Sequence, residues 1–220
     1  MTAFPGSPKL LKGGLVLVDP AGGALLSVIS LQYNPDTLTR SFQIQAAGGE
    51  GGGDRSQALR LKGTPVESIK LEAVLDATDQ LERPDQHAAT VSSGLHPQLA
   101  VLETLAYPRS ADLLANDLLA GSGTLEVLPV EAPLTLFVWS RSRIVPVRLT
   151  ELSVTEEAFD PNLNPIRAKV SLGLRVLSVD DLGFAHRGGG VFMSYLQAKE
   201  GLAGKASPVT LSALGLEGLP

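Results

Sequence analysis

Residues 133–179 read PLTLFVWSRSRIVPVRLTELSVTEEAFDPNLNPIRAKVSLGLRVLSV, and this stretch decides the fold. Its last run alternates: Ala168, Val170, Leu172, Leu174 and Val176 point one way, Arg167, Lys169, Ser171, Gly173 and Arg175 the other. A period of two marks a strand with one buried and one wet face. The stretch predicts a three-stranded meander over Pro133–Ser140, Ile144–Phe159 and Arg167–Val179. Asp160-Pro-Asn-Leu-Asn-Pro165 between the long strands holds the residues that favour turn dihedrals. In the middle strand Val145, Val147 and Leu149 share a face, but the next apolar pair is Leu152 and Val154. A three-residue step predicts a bulge, which bends a sheet.

Working outward toward the N-terminus, Leu10–Asp19 and Ala24–Gln32 flank Pro20-Ala-Gly-Gly23, a hairpin signal. After the turn Tyr33–Asp36, Thr37–Gln45 reads as a strand with Leu38, Arg40, Phe42 and Ile44 on one face. Arg40 on that otherwise apolar face suggests a partly wet or partner-facing surface. Ala46–Asp54 holds five glycines in nine residues and reads as a loop. Val66–Asp76 alternates through Ile69, Leu71, Ala73 and Leu75, a strand despite its good helix formers. Helices are expected from about 80 to 119, with Pro97 in a first turn before Leu99, Leu102 and Leu105. Thr124–Leu128 reads as a short strand, Gly188–Gly190 as a linker, Val191–Leu202 as an amphipathic helix and Ala203–Pro220 as a weakly anchored tail. The expected division is 1–187 for the β domain with its helical insert, and 188–220 for the C-terminal helix and tail.

Composition limits the function. The 220 residues are 44% apolar and 19% charged, with a net charge of −5 and no cysteine. One good core is affordable at this length, and bulk attraction to nucleic acid or an acidic membrane is not supported. Arg141, Arg143, Arg148, Arg167, Lys169 and Arg175 remain as a local basic set in the meander. No signal-peptide pattern opens the chain, and no apolar run has the length of a membrane span.

Catalytic motifs fail one after another. No G-x-x-x-x-G-K-[ST] loop or G-x-S-x-G elbow is present. His87, His96 and His186 lack metal-ligand spacing and read as surface residues. Asp76, Asp79 and Asp85 do not form a calcium loop. Glu156 and Glu157, as strand neighbours, face opposite sides unless a bulge intervenes. With 5% aromatic residues, stacking platforms are poorly supplied, and the single Trp, Trp139, reads as core or interface. No enzyme, metal or cofactor is expected. A strand-rich chain with open edges suits self-assembly better than a pocket.

Several stretches carry a resemblance: Leu31-Gln-Tyr-Asn-Pro-Asp-Thr-Leu-Thr-Arg-Ser-Phe42, Gly63-Thr-Pro-Val-Glu-Ser-Ile-Lys-Leu-Glu72, Leu75-Asp-Ala-Thr-Asp79, Pro133-Leu-Thr-Leu-Phe-Val-Trp139 and Val147 through Ala168. Over roughly residues 10–200 the chain resembles the N-terminal domain of contractile injection system tube proteins. The resemblance implies a mainly β fold with an α insert (α+β), a phage tail-tube-like β-barrel or sandwich with flanking helices. It implies a homohexameric tube-initiator or hub-adaptor ring in the baseplate, between the spike below and the inner tube above. Implied partners are further copies of itself, the inner tube protein, the spike or hub protein and a sheath-adaptor baseplate protein, with no nucleic acid and no membrane. Such particles assemble in the bacterial cytoplasm. Many members carry a LysM module after the tube domain, and none is expected after Leu202 here.

On this reading the subunit or ring contacts fall at Tyr33, Asn34, Pro35, Asp36, Arg40 and Phe42, and at Phe159, Asp160, Asn162, Asn164 and Arg167. Turn chemistry and core packing account for the same residues about as well. The alternative function is a stand-alone β-sandwich that binds a carbohydrate or small ligand.

Overall fold

The computed structural model describes residues 11–46, 60–121, 132–207 and 211–218. Seven strands form one antiparallel sheet: β1 (Gly14–Val18), β2 (Leu25–Ser30), β3 (Leu38–Gln43), β4 (Val66–Asp76), β5 (Leu134–Ser140), β6 (Arg143–Phe159) and β7 (Pro165–Val176). Their order is β2-β1-β5-β6-β7-β4-β3. The expected meander is thus the centre of the sheet, and the N-terminal hairpin and the β3–β4 pair flank it. The expected short strand at Thr124–Leu128 and most of the Gly-rich loop lie outside the described residues. Ala46 forms an antiparallel bridge with Leu61.

The alternation in β7 sorts its side chains as expected. Ala168, Val170, Leu172, Leu174 and Val176 are buried with Ile69, Leu71, Ala73 and Leu75 of β4 and with Val145 and Val147 of β6. The opposite face is wet and carries ion pairs between Lys169 and Glu157 (2.6 Å), Lys70 and Glu151 (3.3 Å), and Arg167 and Asp76 (3.6 Å). The expected bulge is present: Leu149 pairs with Leu174 and Glu151 with Gly173, leaving Thr150 unmatched. Gly173 is required there, because a Cβ would lie 2.9 Å from the Glu151 Cβ. A second shift near Glu156 and Ala158 leaves Glu157 unmatched and facing Lys169 and Arg167.

The helices are α1 (Thr78–Leu81), α2 (Ala88–Ser93), α3 (His96–Glu103), α4 (Ser110–Gly121), α5 (Val179–Leu182) and α6 (Arg187–Ala203), and α3 and α6 cover the buried face. Pro97 lies in the first turn of α3, and Leu95, Leu99 and Leu102 enter the core beside Phe192 and Tyr195 of α6.

Three expectations require correction. The sheet does not close into a barrel or stack on a second sheet; among the described residues β2 and β3 are free edges, and α3 and α6 occupy the place of a second sheet. Nor is Gly188–Gly190 a linker. These residues form the first turn of α6, capped by His186, whose Nδ1 accepts from the Gly188 N–H at 3.0 Å. A Cβ at Gly189 would lie 2.1 Å from the Gly183 carbonyl oxygen, so here glycine serves close approach. β7 also stops at Val176, three residues early. Ser178 diverts the chain into α5 through a capping box with Asp181.

Candidate assembly interface

Antiparallel pairing of β6 with β7 and of β7 with β4 brings Arg167 opposite Asp76 at one end of the sheet. The turn before β3 folds over the same end. Tyr33, Asn34, Pro35, Asp36 and Arg167 therefore line one cleft of about 430 Å³, together with Glu72, Val74 and Asp76. The turn is fixed from behind. The Asn34 side chain accepts from the Gly13 N–H and donates to the Leu11 carbonyl, at 2.9 and 2.8 Å.

The hairpin tip of β6 and β7 stands at this end too. One Asp160 carboxylate oxygen accepts from the N–H groups of Asn162 and Asn164, both at 2.8 Å. The other accepts from the Asn164 side chain, also at 2.8 Å. The Asn164 side-chain and backbone hydrogen bonds hold the Asp160 carboxyl below the usual carboxylate range. Leu163, at φ 66°, is the one non-glycine residue with positive φ among the described residues, and its side chain is exposed. Asn164 also reaches the Ser92 carbonyl of α2, so the tip is tied to a helix. Phe159 is half-exposed beside it.

Arg40 and Phe42 lie elsewhere. They sit opposite Ile69 and Glu67, toward the start of β4. Arg40 turns inward and meets Glu67 at 2.7 Å, and it also donates to the Tyr195 hydroxyl at 2.7 Å. Tyr195 donates to Glu67 at 2.9 Å, and Lys199 reaches the same carboxylate at 3.0 Å. Lys199 also lies over the Tyr195 and Phe42 rings, 4.0 and 5.1 Å from their centroids. Burial first, and then the Glu67 charge, pushes the Tyr195 hydroxyl well above the usual phenol range, so it remains a donor.

Sequence reasoning missed Glu67, Tyr195 and Lys199. A signal existed: Glu67 is in phase with Ile69, Leu71, Ala73 and Leu75, so the strand period alone puts its carboxylate on the core face. A buried carboxylate needs partners, and Arg40 was the unexplained cation on the neighbouring strand.

Among the described residues no group of three or more His, Cys, Asp or Glu could hold a metal, and no helix is long and apolar enough to cross a membrane. The description "contractile injection system tube protein" belongs to the family model that matches residues 19–181, most of the sheet and the helices between its strands. The chain belongs to that family. Contractile injection system tube proteins are structural components and not an enzyme family.

Among the solved structures that match, two are similar at 14% identity. One is a chain from the tail of an empty GTA particle with C6 symmetry, covering 75% of this chain and 90% of that one, at a TM-score of 0.29. The other is a chain from the virion of a native gene transfer agent particle, with 74% and 90% covered and a TM-score of 0.27. Overlap at that level decides nothing about how this tube protein assembles. No curated protein sequence matches the chain.

Proposed function

We propose that this tube protein is a non-enzymatic ring subunit of an injection-particle baseplate, a hexameric tube-initiator or adaptor between the spike and the inner tube. The observation that carries this reading is the open sheet, which among the described residues has two unpaired edges, and its one wet face. An unpaired edge is a template for another strand, and heterologous contacts that close by rotation give a ring. The wet face, with its paired Lys and Glu side chains, suits the wall of an aqueous channel. The helices would then face outward. The end of the sheet that gathers Tyr33–Asp36, Phe159–Asn164 and Arg167 would meet the next layer of the stack, the inner tube or the spike protein. Sheath-adaptor contacts would fall to the helical side. Assembly would take place in the bacterial cytoplasm, without nucleic acid or membrane as a partner.

Cryo-electron microscopy of intact particles from the producing cell tests this. A sixfold ring of this chain directly above the spike is the expected result. Particles that assemble fully and contract without the chain would overturn it and bring the stand-alone ligand-binding module forward.

A further inference from the structure

We infer that the free edge of β3 receives β2 of a second copy with the two strands parallel, and that Glu67 keeps this edge fit for pairing by drawing the Arg40 charge inward. The inference rests on the ring reading and names its lateral seam.

The direction follows from the strand count. Seven antiparallel strands leave both edges, β2 and β3, running the same way. Copies related by rotation about an axis along the strands preserve that direction, so β2 of one meets β3 of the next in parallel. Pairing like edges about a two-fold axis would make them antiparallel instead.

The edges themselves argue for a second copy as the occupant. Soluble proteins guard exposed edges with Lys, Pro, bulges or inward-pointing charge. β2, Leu-Leu-Ser-Val-Ile-Ser, has no charge, Pro or Gly, and Leu25, Leu26 and Val28 are exposed. β3, Leu-Thr-Arg-Ser-Phe-Gln, has one charge, Arg40, and exposes Phe42. Among the described residues the sheet thus has two unguarded edges running in the same direction, and one repeated contact satisfies both.

Arg40 is the residue that would spoil this edge, and Glu67 disarms it. Glu67 is a buried carboxylate on a core face of Ile, Leu and Ala, a costly placement that an apolar residue would avoid. It holds Arg40 and Lys199 against Tyr195 on the helix side of the sheet. Released, the guanidinium would lie over the apolar side chains of the arriving strand. Glu67 is thus a positioning residue acting through Arg40.

The chain has no cysteine, so paired cysteines report the seam directly. In assembled particles carrying the full-length chain, one cysteine is placed on β2 and one on β3, scanning Val28 and Ser30 against Thr39, Ser41 and Gln43, all on the wet face of the sheet. Parallel pairing predicts that if Val28→Cys links to Ser41→Cys, then Ser30→Cys links to Gln43→Cys and not to Thr39→Cys. The opposite progression, or dimers from Val28→Cys alone, overturns the seam. Glu67→Gln, checked for folding by circular dichroism, should lower particle yield at least tenfold, and adding Arg40→Met should restore it. A double variant as defective as Glu67→Gln overturns the role of Glu67. A ring of this chain in the particles without any β2–β3 link defeats the seam alone. Particles without the chain defeat the ring reading and the seam with it.

Discussion

Gln32 grips the backbone of Asp76 from both sides, donating from Nε2 to its carbonyl at 2.6 Å and accepting its N–H at 2.9 Å. β3 pairs with β4 only as far as Leu71, so Gln32 supplies the hydrogen bonds that the end of β4 would otherwise lack. That places the Tyr33–Asp36 turn over the cleft. Gln32→Ala leaves two partly buried backbone groups unpaired, and we expect a loss of about 2 kcal/mol in urea unfolding. Amide exchange at Tyr33–Asp36 should quicken in the same variant.

Adjacent glycines in α6 should respond in opposite directions. Gly189→Ala drives a methyl group against the Gly183 backbone, an overpacking expected to cost about 2 kcal/mol. At Gly190 a Cβ meets nothing within 4 Å, so Gly190→Ala should gain about 0.5–1 kcal/mol from helix propensity alone. Paired thermal melts check both.

Acid should loosen three turns together. Asp76, Asp160 and Asp180 are all held below the ordinary carboxylate value of 3.8, chiefly by hydrogen bonds from Thr78, Asn164 and Thr64 respectively. A carboxyl lowered by folding contributes stability that is present above its ordinary value and is lost as pH falls through the lowered one. Stability should therefore hold from neutrality to about pH 4 on this account and fall below it. Asp160→Ala should remove the protection of the Asn162 and Asn164 amides at every pH, seen by exchange-resolved NMR.

The two faces of the sheet should differ sharply in mutational cost. Ile69→Ala opens a cavity in the core, for an expected loss of about 3 kcal/mol. Lys169→Ala removes only a solvent-screened pair with Glu157 and should leave stability nearly unchanged. Denaturant midpoints of the two variants measure the contrast.

Histidine chemistry should be dispensable. His87→Asn, His96→Asn and His186→Asn together should leave particle assembly unchanged, with Asn at position 186 keeping a cap on α6. The His186→Ala single variant should lose about 1 kcal/mol of stability, because the Gly188 N–H loses its acceptor. Particle counts and thermal melts separate the two effects.

The sequence by itself determined the strands whose period is strict. β4 runs Val66–Asp76 as expected, and the phase change after Leu149 marks the bulge at Thr150. These are local signals, because side chains alternate wherever one face is buried. The wet and buried faces of β7 follow from the same rule. What only the tertiary structure decided involves partners distant in the chain. Arg40 read only as partly wet or partner-facing because Glu67, 27 residues on, and Tyr195, 155 residues on, cannot be paired with it by spacing. Gly188–Gly190 read as a linker because the reason for glycine there, the carbonyl of Gly183, is a packing contact. Whether the sheet closed was likewise out of reach of periodicity. A period of two tells which face is buried but not what lies beyond the last strand, and here the helices α3 and α6 bury that face while, among the described residues, the β2 and β3 edges are unpaired.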